Sequence, residues 1–451
     1  MRTRYSAPVS SIVALAVCIS AAAIAQTASA PVSDASFTAQ ITAHFEEWDA
    51  DHNGELSKAE IDRLIADPHI AGPSAATVAA LKRSLNSKSY TPPVLTKAGI
   101  AHLVEVEKPR STASPNFDQL YKASLSKIAT YNRMLFASGT PRLEMLHQGR
   151  LGDCFCLAPL GALIHRDPQQ VVQMFVPAKD GDVAVHFATG EPVTLHSLTD
   201  AEIALSSTSR GDGTWVNMYE KAIGMYTIQS RASLKGKPVP IGTTSNDPNY
   251  LDVIGHGGSA GKVITILSGH AIKRFNCAPW HIASDVFVPT KPTDGYTAAA
   301  ANTPPPPVPV PPVVKAQVLS TEQKEARLAN LREMLVSAMK AKRLVCAGTP
   351  ATGLKPPGIS LKHAYAVLNY DATKDLITLW NPHGNTFHPK GEEGLKSGYN
   401  TEMGEFSLHL TDALAFLAGI VFETDQPVSS TPPPPVTPAA DVKAGIPSPH
   451  P

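Results

Sequence analysis

The sequence predicts an α+β protein, and three observations carry that expectation. Residues 35–105 have the apolar spacing of helices with short breaks. Residues 343–424 alternate as successive strands. A Pro-rich run at 298–312 and another beyond residue 426 interrupt the chain rather than pervade it. A chain of 451 residues holds more than one domain, at roughly 100–200 residues each. The 40 prolines exceed the usual ~5%, and their clustering marks linkers. The formal net charge is +0, so no nucleic-acid partner is expected.

Taken in order, residues 1–25 read as a signal peptide. Arg2 and Arg4 start it, 12–24 is apolar and small, and Ala23-Ile24-Ala25 fits an A-x-A cleavage site. A second such site, Ala28-Ser29-Ala30, runs directly into Pro31, which disfavours cleavage there. The apolar run is shorter than the roughly 20 residues of a membrane span. The expectation is therefore an exported protein, secreted or periplasmic, with no membrane span after cleavage. Leu15-Ala16-Val17-Cys18 is a lipoprotein-like cue that Val17 spoils. Residues 26–36 read as a disordered leader, 111–142 as a polar approach segment with aromatics, and 143–292 as mixed helix and strand. The tract 298–312 is an extended spacer. An amphipathic helix follows at 322–342, with Leu328, Leu331, Leu335 and Met339 on one face. Strands are expected at 344–347, 363–370, 375–380, 404–410 and 416–422, and a disordered tail at 426–451.

Signal removal takes Cys18 and leaves Cys154, Cys156, Cys277 and Cys346, too few for a disulfide scaffold. Cys277 and Cys346 are either a pair or two buried thiols.

Two segments carry chemistry. The first is Asp49-x-Asp51-x-Asn53-Gly54, with Glu60 completing the D-x-[DN]-x-[DN]-G-x5-E pattern of an EF-hand calcium loop. Asp49, Asp51 and Asn53 offer hard oxygens on alternate residues. Gly54 allows the bend, Glu55 offers its backbone carbonyl, Ser57 can hold a water, and Glu60 can bind Ca2+ with both oxygens. Residues 56–61 recur in weaker form as 95–100. In that copy Lys88, Tyr90, Pro92 and Gly99 fall at ligand positions, and none carries a carboxylate. So 35–105 is expected to be an EF-hand pair with one competent and one degenerate hand, Leu56 facing Leu95 across a short strand pairing. Over 37–105 the chain resembles EF-hand proteins in general.

The second is Gln148-Gly149-x-x-Gly152-Asp153-Cys154, followed far downstream by His363-Ala364-Tyr365 and Asn381-Pro382-x-Gly384. Glycines let the chain turn, and a cysteine opening a helix gains from the unpaired N–H groups there. Cys, His and Asn follow in the order used by papain-like hydrolases. With Trp215-x-x-x-x-Glu220-Lys221-Ala222 and Gly404-Glu405-Phe406, the set resembles the calpain family of cysteine proteases over 115–424. The resemblance implies a two-lobed papain-like core, with Cys154 on a helical lobe and His363 and Asn381 on a strand-rich lobe. It implies Cys154 as nucleophile, His363 as its proton partner and Asn381 as the group fixing the imidazole. Gln148 and the Cys154 N–H would form the oxyanion hole. The substrate would be a polypeptide. Cys156, Trp215 and Glu220 are expected to be structural.

The chain departs from the family at Phe155 and His383, where tryptophan is usual, and at Lys362, where glycine is frequent. His383 is expected to leave the His–Asn bond wetter. Pro159 is expected to kink the helix after Cys154. The family's C-terminal penta-EF-hand module and the β-sandwich that follows its core are not expected in this sequence. Phe155, Pro159 and His383 motivate an alternative, a calcium-binding, catalytically degenerate binding protein on the protease fold. A papain-fold acyl transferase is a third possibility. His165-Arg166-Asp167 lacks the asparagine of a kinase loop, and 255–262 lacks the first glycine of a P-loop. Gly257-x-Ser259-x-Gly261 fits a serine elbow in letters only, since 263–267 is β-branched and reads as a strand.

Overall fold

The computed structural model describes residues 36–85, 95–106, 116–233, 249–281 and 319–428. The expected signal peptide, residues 88–94 of the second loop, the spacer 298–312 and residues 429–451 lie outside them. Five helices come first: α1 (Phe37–Trp48), α2 (Lys58–Ala66), α3 (Gly72–Leu85), α4 (Lys97–Val106) and α5 (Phe117–Thr130). Phe37, Ile41, Phe45 and Trp48 recur at helical period and are all buried on α1. Ser57 caps α2 in a reciprocal capping box with Glu60. The two-residue strands β1 (Glu55–Leu56) and β2 (Leu95–Thr96) pair antiparallel with Leu56 opposite Leu95, the register expected from the repeat. Where a polar approach segment was expected, α5 forms. Asn116 caps it, and Phe117, Leu120, Tyr121, Ser124 and Ile128 share its buried face. The intervening polar residues had masked that stripe.

The middle of the chain holds α6 (Cys154–Arg166), α7 (Pro168–Gln173), a three-stranded antiparallel sheet of β3 (Phe175–Pro177), β4 (Val183–Val185) and β5 (Val193–Leu195), then α8 (Asp200–Leu205), α9 (Trp215–Ser233), α10 (Tyr250–Gly255) and α11 (Ala260–Ser268). The run 263–267, expected as a strand, is helical in α11. Ser259 caps its start and Gly269, left-handed at φ 75°, closes its end. Val263, Ile264 and Leu267 fall on one buried face. The helix penalty of β-branched residues is a few tenths of a kcal/mol each, which two caps and that burial outweigh. α6 continues through Pro159.

The last part is a six-stranded antiparallel sheet in the order β10-β9-β8-β7-β11-β6. Its strands are β6 (His270–Asn276), β7 (Val345–Gly348), β8 (Ala364–Asp371), β9 (Leu376–Trp380), β10 (Glu405–His409) and β11 (Gly419–Pro427). Helices α12 (Thr321–Lys340) and α13 (Leu410–Phe416) complete it. β11 runs two residues into the segment expected as tail, with Pro427 opposite His270. The pleat of β8 divides two cores. Ala364, Ala366 and Leu368 face the helices, in an apolar core that continues through α6 to α1. Tyr365, Val367 and Tyr370 face the core shared with α12 and α13. Both faces are covered, so β8 is buried almost throughout. Cys346 and Cys277 are free thiols in opposite cores. Among the described residues no helix is long and apolar enough to cross a membrane.

Side-chain bonds tie the first helices to the rest. Thr199 Oγ1 donates to Ile65 O at 2.6 Å, and Arg83 Nη2 donates to Ala204 O at 2.6 Å. Lys82, 1% exposed, is paired with Asp62 on α2 and Asp252 on α10, and Lys58 contacts the same two carboxylates.

Candidate active site and acidic loop

Cys154 is the first residue of α6, and α6 packs on β8 and β7. That packing sets the thiol against the start of β8. The backbone N–H groups of Ala364, Phe155 and Cys154 itself favour the thiolate there. Ala364 follows His363 directly. His363 Nε2 donates to Asn381 Oδ1 at 2.7 Å. Asn381 stands at the end of β9, and its amide orientation is settled by two further bonds. Oδ1 also accepts from His383 N–H at 3.1 Å, and Nδ2 donates to Asn385 Oδ1 at 2.8 Å. The neutral imidazole thus carries its proton on Nε2, and Nδ1 has no hydrogen-bond partner among the described residues. The structure joins His363 to Asn381 and packs the helix that opens at Cys154 on the strand that follows His363.

Burial pushes the Cys154 thiol above its ordinary value, against the three N–H groups and the nearby Lys362 cation. Burial also pulls His363 down to about 4, against the support of Asn381 and with His383 adding to the fall. The resting pair is thiol and neutral imidazole, with a bare nitrogen on the side away from Asn381. Such a pair can pass the thiol proton to nitrogen as the sulfur attacks.

His383 differs from expectation. Its ring stacks on His363, centroids 4.7 Å apart and planes 7° apart. His363 is 7% and Asn381 2% exposed, so the His–Asn bond is covered rather than wet. A flat imidazole does the shielding a larger ring would do. Lys362 adopts φ 50°, the left-handed region, which explains why glycine suits the residue before the histidine.

Gln148 also differs. Its backbone N–H donates to Pro382 O at 2.7 Å, tying this loop to the turn after Asn381. Its side-chain Nε2 donates to Leu151 O at 2.7 Å and to Asp153 Oδ1 at 3.0 Å. Both amide protons are taken inside the loop. The N–H groups left facing the sulfur are backbone groups at the start of α6. The two glycines serve approach, not turning. Neither has a positive φ. A Cβ on Gly152 would meet Gly255 O at 2.5 Å, and one on Gly149 would meet Ser206 O at 2.9 Å.

The acidic loop lies between α1 and α2. Oxygens of Asp49, Asp51 and Glu60 come within 4.8 Å of one another. Burial pushes the Asp49 carboxyl up, but the N–H groups of Gly54 and Asn53 outweigh it and hold the group below its ordinary value. The same balance holds for Glu60, where Ser57, Ala50 and Asp51 supply the donors. Three carboxyl groups converge there. Asn53 Oδ1 accepts from Glu55 N–H at 2.8 Å, and Gly54 turns the chain at φ 82°. A hard divalent cation fits this donor set of carboxylate, carboxamide and backbone oxygens.

Asn385 and Lys82 were not identified from the sequence. Asn385 had one signal, its place four residues after Asn381 on the same turn. Lys82 had none, because its partners Asp62 and Asp252 lie on other elements. No family model matches the chain, and no curated protein matches it.

Proposed function

We propose that this chain is an exported, calpain-like cysteine endopeptidase that hydrolyses peptide bonds in polypeptide substrates and binds calcium. One observation carries the catalytic part: a thiol at a helix start, against the strand residue that follows a buried histidine locked to Asn381. In this mechanism Cys154 Sγ attacks the scissile carbonyl while His363 Nδ1 takes the thiol proton and then gives it to the leaving amine; water, giving its proton to the same nitrogen, then attacks the thioester, releases the acid and returns the thiol. Asn381 keeps the imidazole oriented through both steps. The Cys154 backbone N–H faces the developing oxyanion, and Gln148 joins it only by giving up one of its loop bonds. The core would be the two-lobed papain-like kind, with the cleft between the start of α6 and the start of β8.

Calcium would be held in an EF-hand loop by Asp49, Asp51, Asn53, the Glu55 carbonyl and Glu60. Bound there, it supplies positive charge that joins the end of α1 to the start of α2. The paired strands β1 and β2 make the degenerate half a support for that loop.

A second reading, a calcium-binding protein on a protease fold without turnover, is favoured by the Gln148 amide protons both being taken. Denatured casein separates the two. Intact protein is expected to cleave it and Cys154→Ala to leave it whole. Iodoacetamide near neutral pH gives an independent check: His363→Ala is expected to slow alkylation of Cys154. No cleavage, with equal alkylation in both proteins, would leave the non-catalytic reading standing.

A further inference from the structure

A guanidinium sits on the turn that carries the histidine's partner. Arg210 lies in the loop between α8 and α9 and is exposed. Its Nη2 donates to His147 Nδ1 at 3.1 Å and to Gly384 O at 3.5 Å, and its Nη1 donates to Met403 Sδ at 3.5 Å. His147 directly precedes Gln148, and it pairs with Thr208 through two backbone bonds of 3.0 Å. Gly384 ends the turn that begins at Asn381, whose carbonyl accepts the Gly384 N–H at 2.9 Å. Gly384 has φ 57°, and a Cβ there would meet His147 Nδ1 at 2.9 Å and Arg210 Nη2 at 3.4 Å. A glycine at the end of the turn is what lets both side chains lie against it.

Two features separate this arginine from an ordinary solvated one. Its backbone is left-handed at φ 51°, a conformation that strains every residue but glycine. Glycine would adopt it freely, so the side chain has a reason to stand there. The second feature is that all three partners are neutral: a carbonyl, a thioether, and an imidazole that accepts on Nδ1 and so is uncharged. Burial holds His147 below its ordinary value, with Arg210 adding to the fall, and burial does the same to His383. Among the described residues no carboxylate pairs with the guanidinium. The positive charge is fixed in place and not neutralised.

We propose that Arg210 is a specificity-determining residue that selects an acidic side chain just after the scissile bond of the polypeptide substrate. This rests on the peptidase reading of Cys154 and His363. The imidazole gives its proton to the leaving amine, so the residues after the cut lie on the imidazole's side of the cleft. His383 lies flat on that imidazole, ring centroids 4.7 Å apart, and the next residue, Gly384, holds the guanidinium. An Asp or Glu on the first or second residue after the cut meets a fixed cation and gains a charge-assisted hydrogen bond. A Lys or Arg there meets a like charge and is disfavoured.

The test is the sequence profile around the cuts made in a peptide library of even composition, digested by the full-length protein and read by mass spectrometry. Asp and Glu are expected to be enriched about threefold at the first or second position after the cut. Arg210→Lys is expected to keep that enrichment and Arg210→Ala to lose it. Arg210→Glu is expected to replace it with enrichment of Lys and Arg, the profile before the cut staying the same. An arginine that only staples its loop to the turn would slow every cut alike when replaced. A profile unmoved in Arg210→Glu, or no acidic enrichment in the wild type, therefore overturns the inference. A wild-type protein that cuts nothing sinks the peptidase reading instead, and binding then decides. That protein is titrated with a peptide of alternating Ala and Glu and with its Ala and Gln counterpart. The acidic peptide is expected to bind about threefold more tightly to the wild type and equally with its counterpart to Arg210→Ala. Equal affinities in the wild type, or a preference that survives Arg210→Ala, overturn the inference.

Discussion

The acidic loop and the thiol site are assembled in opposite ways. The loop takes every donor from one short stretch, and its carboxylates meet because alternate residues of a tight bend point inward. The thiol site takes one group from the start of α6, one from before β8 and one from the end of β9. Its contacts exist only because the helix packs on the sheet. A local site is specified by offsets along the chain. A distant one is specified by packing, and its hydrogen bonds are buried and costly to break.

The largest expected effect lies in the distant site. His363→Ala is expected to lower casein hydrolysis by about 10³-fold or more. Activity within tenfold of wild type would show that the contact with Asn381 is not part of turnover. The same histidine should bend the stability curve. Its ordinary value is 6.5 and burial pulls it to about 4. The unfolded chain therefore binds a proton that the folded chain refuses. Stability present above about pH 6.5 is expected to be lost as the pH falls toward 4, by about 3 kcal/mol. Urea titrations across that range measure it, and His363→Gln should flatten the limb.

The joint between the two regions comes next. Lys82 is buried between Asp62 and Asp252, and Lys82→Ala leaves both without their buried partner. The expected cost is about 3 kcal/mol in urea unfolding. A cost near zero would mean that Lys58 alone serves the cluster and that the regions are nearly independent.

In the local site, saturation with calcium at 100 times its dissociation constant is expected to raise stability by about 2.7 kcal/mol. Asp49→Ala should abolish that gain, and Cys154→Ala should leave it whole. An equal calcium shift in Asp49→Ala would place the ion elsewhere. The smallest effect is at Lys362, left-handed at φ 50°. Lys362→Gly is expected to relieve about 1 kcal/mol of backbone strain and raise the thermal midpoint.

Much of this was legible in the sequence where neighbours in the chain decide the outcome. The loop spacing, the facing of Leu56 and Leu95, and a helix opening at Cys154 all follow from local rules. The helix at 260–268 was not legible, because β-branched residues favour strands unless caps and a buried face override them. The helix at 117–130 was hidden by the polar residues between its buried ones. The inward turn of Gln148 was hidden too, since Leu151 O and Asp153 compete for its amide only once the loop is closed.

By itself the sequence determined an acidic loop with oxygen donors on alternate residues, a succession of helices and then strands, and three residue types able to do thiol chemistry. Only the tertiary structure decided that the Asp153 carboxyl meets Gln148 rather than its own helix, that His383 lies flat on His363, and that Lys82 is buried between two elements. Such choices depend on which desolvated group finds a partner, and distant segments supply that partner only when the cores close.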